Sequence, residues 1–259
     1  ASDWPPFPTV VTPFYLTTEG LLGTESPTAQ DSSLTFTFDP RDPCPTLGGA
    51  NLTIPFGPFD QRKIGHREDV LKFATEPLEK PIDITGHVRV RLYVSSDAPD
   101  TDSTAKLIDV YPDGREILML DGIQRLKLRH GFSKPDPLPP GEIDEVEIDL
   151  WSISLIINKG HRIGLHVSSS NYPRFEVNPN NGDDFPSENN LAVAHNTIYM
   201  DKAHPSALIL PLPAQEADTS SRDMTPSKEQ GTASFFLSGV GSRAGGESER
   251  DVDPEARIP

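Results

Sequence analysis

The sequence predicts an all-β protein, a β-sandwich of the jelly-roll type with long loops and an acidic C-terminal tail. Two observations support this prediction. Short segments in which apolar and polar residues alternate recur along the chain, as expected for half-buried strands. Between them lie many of the 27 prolines and 19 glycines, which interrupt helices and favour turns. Many short strands separated by turns are typical of sandwiches and jelly rolls.

The first part of the chain contains two predicted strands followed by a long loop. Residues 1–30 form a lead-in segment, in which residues 14–16 are a short strand. Residues 34–38 alternate with period two and begin the sandwich domain, which we place at residues 31–213. Residues 39–67 are rich in Pro and Gly and predict one long ordered loop. Loops of this length are uncommon and usually have a function or form an interface.

The core strands are predicted from residue 70 onward. The same alternation marks them at residues 70–75, 88–94, 104–111, 145–150, 161–168, 197–200 and 207–212. Pro112-Asp113-Gly114 predicts a hairpin turn, because glycine tolerates a positive φ. Asp121-Gly122 predicts a second turn, between strands at 115–120 and 123–129. Residues 151–158 fit either a helical turn or a continuation of the preceding strand.

The composition changes after Pro213. Residues 214–259 are rich in Ser, Gly, Glu, Asp and Arg, and they predict an acidic tail that buries too little apolar surface to fold alone. Residues 232–237 (Thr-Ala-Ser-Phe-Phe-Leu) are an exception within this tail. We expect this apolar patch to dock on the body of the protein or on a partner.

Charge and composition exclude several classes of protein. The formal net charge of −16 disfavours binding to nucleic acid and to anionic lipid. No apolar run approaches the roughly 18–20 residues needed to span a bilayer. The first six residues lack the basic and apolar regions of a signal peptide, and the sequence assigns no compartment. The one cysteine, Cys44, cannot form an internal disulfide and is expected to be a passive thiol.

The residue types that perform catalysis do not occur in a recognisable pattern. The sequence contains no Gly-x-Ser-x-Gly, no His-Glu-x-x-His and no paired-cysteine zinc motif. His161 and His166 fall in one predicted strand, five residues apart, so they point to opposite faces and share no metal site. We therefore predict no catalytic, cofactor-binding or metal-binding residues in this chain.

Two acidic loops and two tryptophans have alternative interpretations. Residues 97–102 and 180–184 are rich in oxygen ligands of the kind that calcium prefers, although neither has the EF-hand spacing. The simpler interpretation, which we favour, is that these Asp and Asn side chains bond to nearby backbone in turns. Trp4 and Trp151 are expected to pack against the protein rather than to serve as platforms for sugars.

A series of motifs in a fixed order resembles one family. The motifs cover residues 1–213 and are found at residues 57–62 (Gly-Pro-Phe-Asp-Gln-Arg), 67–71 (Arg-Glu-Asp-Val-Leu), 95–102 (Ser-Ser-Asp-Ala-Pro-Asp-Thr-Asp), 106–110 (Lys-Leu-Ile-Asp-Val), 112–114, 159–163 (Lys-Gly-His-Arg-Ile), 168–175 (Ser-Ser-Ser-Asn-Tyr-Pro-Arg-Phe) and 178–182. They resemble the C-terminal domain of the cocaine esterase/X-Pro dipeptidyl-peptidase-like (CocE/NonD) serine hydrolases.

The resemblance implies a supporting role without catalysis. In that family an α/β-hydrolase domain with a helical cap carries Ser, Asp and His, and a C-terminal jelly roll of the galactose-binding-domain type packs against it. This chain resembles the jelly roll only, so no catalytic residue is carried over. The implied partners are a catalytic domain or sister subunits. Residues 55–67 and 95–102 are candidates for the contact.

Two alternatives remain open on the sequence. Jelly rolls often bind carbohydrate, so a free-standing lectin-like protein is one alternative, although fold alone is a weak argument for function. A structural or assembly protein, which associates through the apolar patch at 232–237, is the other.

Overall fold

Two antiparallel sheets packed face to face make up the part of the chain that the computed structural model describes, residues 4–214. No α-helix occurs among these residues. The predicted jelly-roll β-sandwich is therefore confirmed, whereas its likeness to galactose-binding domains stays a prediction. The apolar patch at 232–237 and the rest of the predicted tail beyond residue 214 lie outside the described residues.

The larger sheet has seven strands. They are β1 (Thr9–Leu16), β2 (Leu22–Gly23), β3 (Ser33–Phe38), β5 (Ile82–Ser96), β8 (Asp144–Ile157), β10 (Ala194–Tyr199) and β11 (Ala207–Pro213). The long strand β5 organises this sheet, because β8 pairs along one of its sides while β10 and β11 share the other. β1 pairs with β11 and β3 with β10.

The smaller sheet has four strands in the order β4-β9-β6-β7. They are β4 (Leu71–Ala74), β6 (Asp102–Val110), β7 (Glu116–Arg125) and β9 (Arg162–Ser168). Two short 3₁₀ turns, Gln61–Lys63 and Leu126–Leu128, precede and follow strands of this sheet. The alternating apolar residues of both sheets meet in one core, as the sequence pattern predicts: Val90, Leu92, Leu107, Ile148 and Leu165 are all fully buried.

The predicted turn at Asp121-Gly122 is wrong. Both residues lie inside β7, which runs without interruption from Glu116 to Arg125. Gly122 is required there because β8 of the opposite sheet passes very close. A Cβ atom at this position would lie 2.2 Å from the carbonyl oxygen of Asp149. The glycine permits close contact between two strands rather than a change of chain direction.

β8 settles the alternative left open for residues 151–158. The strand continues to Ile157, but its pairing with β5 shifts register where Leu150 and Trp151 lie opposite Val88. Trp151 has a φ of 71°, a left-handed conformation that is unusual for a large side chain. The result is a β-bulge that bends the strand and redirects the tryptophan.

The predicted long loop is confirmed. Between β3 and β4, the chain from 39 to 70 contains only one 3₁₀ turn and isolated bridges. Hydrogen bonds to its backbone hold it over the smaller sheet. Cys44, a residue of this loop, is fully buried, consistent with the passive thiol expected from the sequence.

Candidate interaction site

The long loop contains a hairpin-like segment, residues 48–59, which we call the tip loop. Gly49 and Gly57 exchange backbone hydrogen bonds of 2.8 and 3.1 Å and close its base. The Asn51 amide nitrogen donates to the Gly48 carbonyl oxygen at 3.0 Å, and Asn51 Oδ1 accepts from the backbone N–H of Ile54 at 3.2 Å. These bonds give the tip loop a defined shape.

The stem of the tip loop rests on a buried ion pair. Arg174 Nη1 lies 2.6 Å from Asp121 Oδ1, and the Asn171 amide donates to Asp121 Oδ2 at 2.9 Å. Gly49 of the tip loop passes directly over this ion pair. A Cβ there would lie 2.8 Å from Arg174 Nη1, and φ is +93°, so only glycine fits without strain. Burial raises the pKa of Asp121, although Arg174 opposes this shift.

The tip loop presents apolar side chains to solvent. Leu52 is 97% exposed and Phe56 is 69% exposed. Because bonds within the loop fix its backbone, these side chains are held outward. An apolar patch on an ordered segment is characteristic of an interaction site.

A cavity of about 270 Å³ adjoins the base of the tip loop. Ala50 of the tip loop lines it, together with Trp151 and Ser152 of the β8 bulge. Met119, Leu120 and Leu150 contribute apolar walls, and the Asp121–Arg174 pair contributes polar lining. The sequence signals for this site were the Pro- and Gly-rich loop and Trp151. The expectation that Trp151 packs against the protein is wrong, since its side chain is 72% exposed.

A Ser-His-Asp group lies on the surface beside the bulge. His87 Nδ1 lies 3.4 Å from Ser152 Oγ, and its Nε2 lies 3.2 Å from Asp149 Oδ1. The 3.4 Å separation exceeds the roughly 2.6–3.2 Å expected for an activated nucleophile and its base. Asp149 and His87 are also half or more exposed, so water weakens their interaction. Asp149 Oδ1 has a structural role, because it accepts the Trp151 backbone N–H at 2.6 Å.

A second polar cluster is buried beneath the long loop. The ammonium of Lys106 donates to Gln61 Oε1 at 3.1 Å, and burial lowers the pKa of this lysine. On the neighbouring strands, His166 Nε2 lies 3.3 Å from Glu116 Oε2, and Lys72 Nζ donates to Glu116 Oε1. Burial also lowers the pKa of His166. Lys106 thus connects β6 to the loop above it, and Glu116 connects β7 to β4 and β9.

The two histidines considered in the sequence lie apart. His166 is inside β9, whereas His161 lies just before it, so the prediction that both belong to one strand is wrong. His161 Nδ1 lies 2.8 Å from Asp109 Oδ1, and its ring packs on Tyr111. Among residues 4–214, no serine, threonine or cysteine side chain hydrogen-bonds to this pair.

The two acidic loops are cross-linked by cations. Lys127 Nζ donates to Asp184 Oδ1 at 2.8 Å and lies 3.7 Å from Asp100 Oδ2, while Arg125 binds Asp102 through two hydrogen bonds of 2.9 and 3.1 Å. Asn178 bridges Asp100 and Asp102. In the described part of the chain, no group of His, Cys, Asp or Glu side chains is arranged to hold a metal ion. The absence of a metal site stays a prediction.

Comparison with known proteins identifies the domain. Residues 1–209 match the family described as the X-Pro dipeptidyl-peptidase C-terminal non-catalytic domain. The chain belongs to this family. Its β-sandwich fold and its motifs are those of this C-terminal non-catalytic domain family, as the sequence predicted.

Relatives of the family are longer proteins. The chain is 43% identical over 223 residues to cocaine esterase of Rhodococcus sp. (strain MB1 Bresler); the match covers 82% of this chain but 39% of the esterase. An aminopeptidase from a marine sediment archaeon (Thaumarchaeota archaeon) superposes with a TM-score of 0.75 at 29% identity, covering 82% of this chain and 38% of the other. An α-amino acid ester hydrolase superposes with a TM-score of 0.71 at 29% identity, covering 78% and 36%.

No helix long and apolar enough to cross a membrane occurs in residues 4–214.

Proposed function

We propose that this domain functions as the C-terminal supporting part of a serine hydrolase and packs against the catalytic domain of that enzyme. The observation that carries the proposal is the family match over residues 1–209, in a chain that spans 39% of its esterase relative. The remaining length of the relative is enough for a catalytic domain. In this proposal the jelly roll stabilises the hydrolase and shapes the mouth of its active site.

The names of the relatives support a proposal for the substrate class. Cocaine esterase and α-amino acid ester hydrolase are named for ester cleavage, and the aminopeptidase for peptide cleavage. Both reactions transfer an acyl group to water, so we propose carboxylic esters or amides as substrates of the parent enzyme. The carbohydrate-binding alternative receives no support from any observation.

The division of the chain is part of the proposal. We assign residues 1–30 to the lead-in segment, 31–213 to the supporting domain and 214–259 to a tail. The lead-in segment contacts the sandwich through strand pairing, because β1 pairs with β11 from Thr9↔Pro213 to Tyr15↔Ala207.

The whole gene product tests the proposed function. We expect the protein isolated from its source to have a larger intact mass than this chain, to contain a Gly-x-Ser-x-Gly motif, and to hydrolyse an ester or amide. The 259-residue chain, purified alone, serves as the control and is expected to be inactive. A transcript and protein limited to this chain would contradict the proposal.

A further inference from the structure

The loop between β9 and β10 contains the one Asn-Gly pair of the sequence, Asn181-Gly182. Both residues are exposed. Asparagine is a thermolabile residue, because the backbone nitrogen of the next residue can attack the carbon of its side-chain amide. Glycine in the next position has no Cβ to shield that nitrogen. The pair is therefore open to a chemical change that its surroundings either promote or prevent.

The attacking nitrogen, that of Gly182, is free. In the part of the chain that the structure describes, the Gly182 N–H donates a hydrogen bond to no acceptor. The φ of Gly182 is +92°, and a Cβ built there would meet only Pro99 Cγ, at 3.9 Å. This nitrogen can therefore lose its proton to solvent and approach the neighbouring side chain without displacing other atoms.

The amide of Asn181 is oriented and polarised for this attack. Its Oδ1 accepts from the backbone N–H of Asp183 at 3.0 Å, and its Nδ2 donates to Asp183 Oδ2 at 2.8 Å. The first bond forms an Asx turn that spans Gly182, so the amide is folded back over the peptide whose nitrogen attacks. A backbone N–H placed on an oxygen that becomes negative stabilises that charge in the transition state, as in an oxyanion hole.

We propose that Asn181 is a site of spontaneous deamidation, and that the product loosens the loop that follows it, residues 183–190. The Gly182 nitrogen gives its proton to solvent and bonds to Cγ of Asn181. The bond from Cγ to Nδ2 then breaks, and the amine takes up a proton and leaves as ammonia. Water opens the resulting five-membered ring at either of its two C–N bonds. One water is consumed, and the product is aspartate or isoaspartate, with a carboxylate in place of the amide.

The new carboxylate disrupts the hydrogen bonds of the loop. At present the Asp183 carboxylate accepts from Asn190 Nδ2 at 2.9 Å and from Asn181 Nδ2, and these two bonds lower the pKa of Asp183. A carboxylate at position 181 has no proton to donate, and it repels Asp183. The Asn190 amide also holds the backbone of Ser187 and Phe185, at 2.6 and 3.0 Å. Loss of the Asp183 contact therefore affects the whole loop.

Isoaspartate has a second effect, because its main chain runs through the former side chain and is one carbon longer. The residues that follow are anchored to the sandwich. Lys127 Nζ donates to the Gly182 and Asp183 carbonyl oxygens at 3.0 and 3.2 Å, and Arg125 Nη1 donates to the Asp184 carbonyl oxygen at 3.1 Å. A longer backbone next to these anchors cannot keep all of the hydrogen bonds at their present lengths.

Peptide mass spectrometry of the purified 259-residue chain tests the reaction. After incubation at mildly alkaline pH and physiological temperature, we expect the peptide that contains Asn181 to gain about 1 Da and to separate into aspartate and isoaspartate forms. Asn189 is the internal control, because it is exposed in the same loop but is followed by asparagine. It should react at least about tenfold more slowly. Equal rates at the two positions would overturn the proposed site.

The chain unfolded in urea separates the effect of the fold from that of the sequence. Unfolding removes the Asx turn and the Asp183 N–H donor but leaves Asn181-Gly182 unchanged. Deamidation at Asn181 should therefore be at least as fast in the folded chain as in urea. A rate about tenfold lower in the folded chain would mean that the loop protects the amide, and the proposal would be wrong. Asn181→Gln should abolish the reaction, because the attack would need a six-membered ring, whereas Asn189→Gln should leave it unchanged.

The deamidated chain, which carries one more negative charge and separates by ion exchange, tests the effect on the loop. We expect amide hydrogen exchange in residues 183–190 to become several-fold faster and the midpoint of thermal unfolding to fall by about 2–4 °C. Asn189→Asp is the matched control, because it adds the same charge without replacing the amide that bonds to Asp183; it should change neither measurement. Unchanged exchange in the deamidated chain would overturn the proposed loosening. All of these measurements use this chain alone, so their outcome does not depend on the proposed function.

Discussion

Lys127 is the residue on which the two acidic loops depend. The residue is 4% exposed. Its ammonium donates to the Gly182 and Asp183 carbonyl oxygens and to Asp184, while its backbone N–H donates to the fully buried Asp100. Lys127→Met would remove the cation and leave Asp100 buried without its opposite charge. We expect a loss of about 3–5 kcal/mol in the free energy of unfolding, measured by urea denaturation.

The control for this prediction is an exposed ion pair. Arg115→Met breaks the contact with Asp113, in which both side chains are about half exposed, and should cost less than about 1 kcal/mol. Similar losses in the two variants would contradict the prediction that the buried Lys127 network contributes more to stability than an exposed ion pair.

Calcium provides a second test of the same loops. Arg125, Lys127 and Asn178 already donate hydrogen bonds to the carboxylates of Asp100 and Asp102. We therefore expect these two carboxylates to have no free oxygens for a divalent ion. The midpoint of thermal unfolding should therefore be the same with calcium as with EDTA. A midpoint that rises with calcium concentration would indicate binding to the folded state and contradict this interpretation.

His166 makes stability depend on pH. Its ring is 4% exposed and lies near Glu116, Lys72 and Lys106, and burial lowers its pKa in the folded state despite the opposing effect of Glu116. The unfolded chain therefore takes up the proton first, and stability falls as the pH drops below about 6.5. His166→Gln should flatten the dependence between pH 7.5 and 5.5 by up to about 1.4 kcal/mol per pH unit.

The measurement is the free energy of unfolding by urea at a series of pH values. The unaltered chain, measured at the same pH values, is the reference for the slope. The carboxyl pKa of Glu116 is lowered, so its effect falls in a more acidic range and does not confuse the comparison. An unchanged slope in His166→Gln would contradict the prediction.

At the scale of elements, the close approach of β7 and β8 depends on Gly122. Gly122→Ala would place a methyl group 2.2 Å from the Asp149 carbonyl oxygen and 3.0 Å from the Leu150 side chain, so the two sheets must move apart. We expect a loss of about 1–3 kcal/mol, as for other overpacked cores. Gly23→Ala in β2 is the matched control, because nothing lies within 4 Å of its Cβ position, and it should be nearly neutral.

The strands were predictable from the sequence because their alternation reflects burial on one face. Residues 88–94 and 104–111 fall within or close to the observed β5 and β6 for this reason. The Asp121-Gly122 dipeptide predicts a turn that does not form. An Asp-Gly pair has the same sequence whether its glycine makes a turn or allows two sheets to approach each other closely. The bulge at Trp151 was not predictable either, because it depends on the register between β8 and β5, which no local pattern encodes.

At the scale of the whole molecule, the sequence motifs identify the family. They do not locate the candidate interaction site. The cavity joins Ala50, Asp121, Trp151 and Arg174, which are far apart in sequence and brought together by the two sheets. Sequence reasoning identified the long loop as a candidate interface without locating its apolar tip. Exposure of Leu52 and Trp151 depends on tertiary structure, and that is the information a single sequence lacks.

The Ser152-His87-Asp149 group allows a direct test of where the catalytic serine resides. A fluorophosphonate probe bonds to the Oγ of an activated serine and releases fluoride, so it reports the nucleophile itself. With a Ser–His distance of 3.4 Å and a solvated His–Asp contact, Ser152 should not be activated, and the purified 259-residue chain should remain unlabelled.

The whole hydrolase should be labelled at one serine outside this domain. Ser152→Ala should leave that labelling intact, as measured by peptide mass spectrometry. Labelling of the isolated chain that disappears in Ser152→Ala would mean that this domain carries a nucleophile of its own, and the division of labour argued from the family would then be wrong.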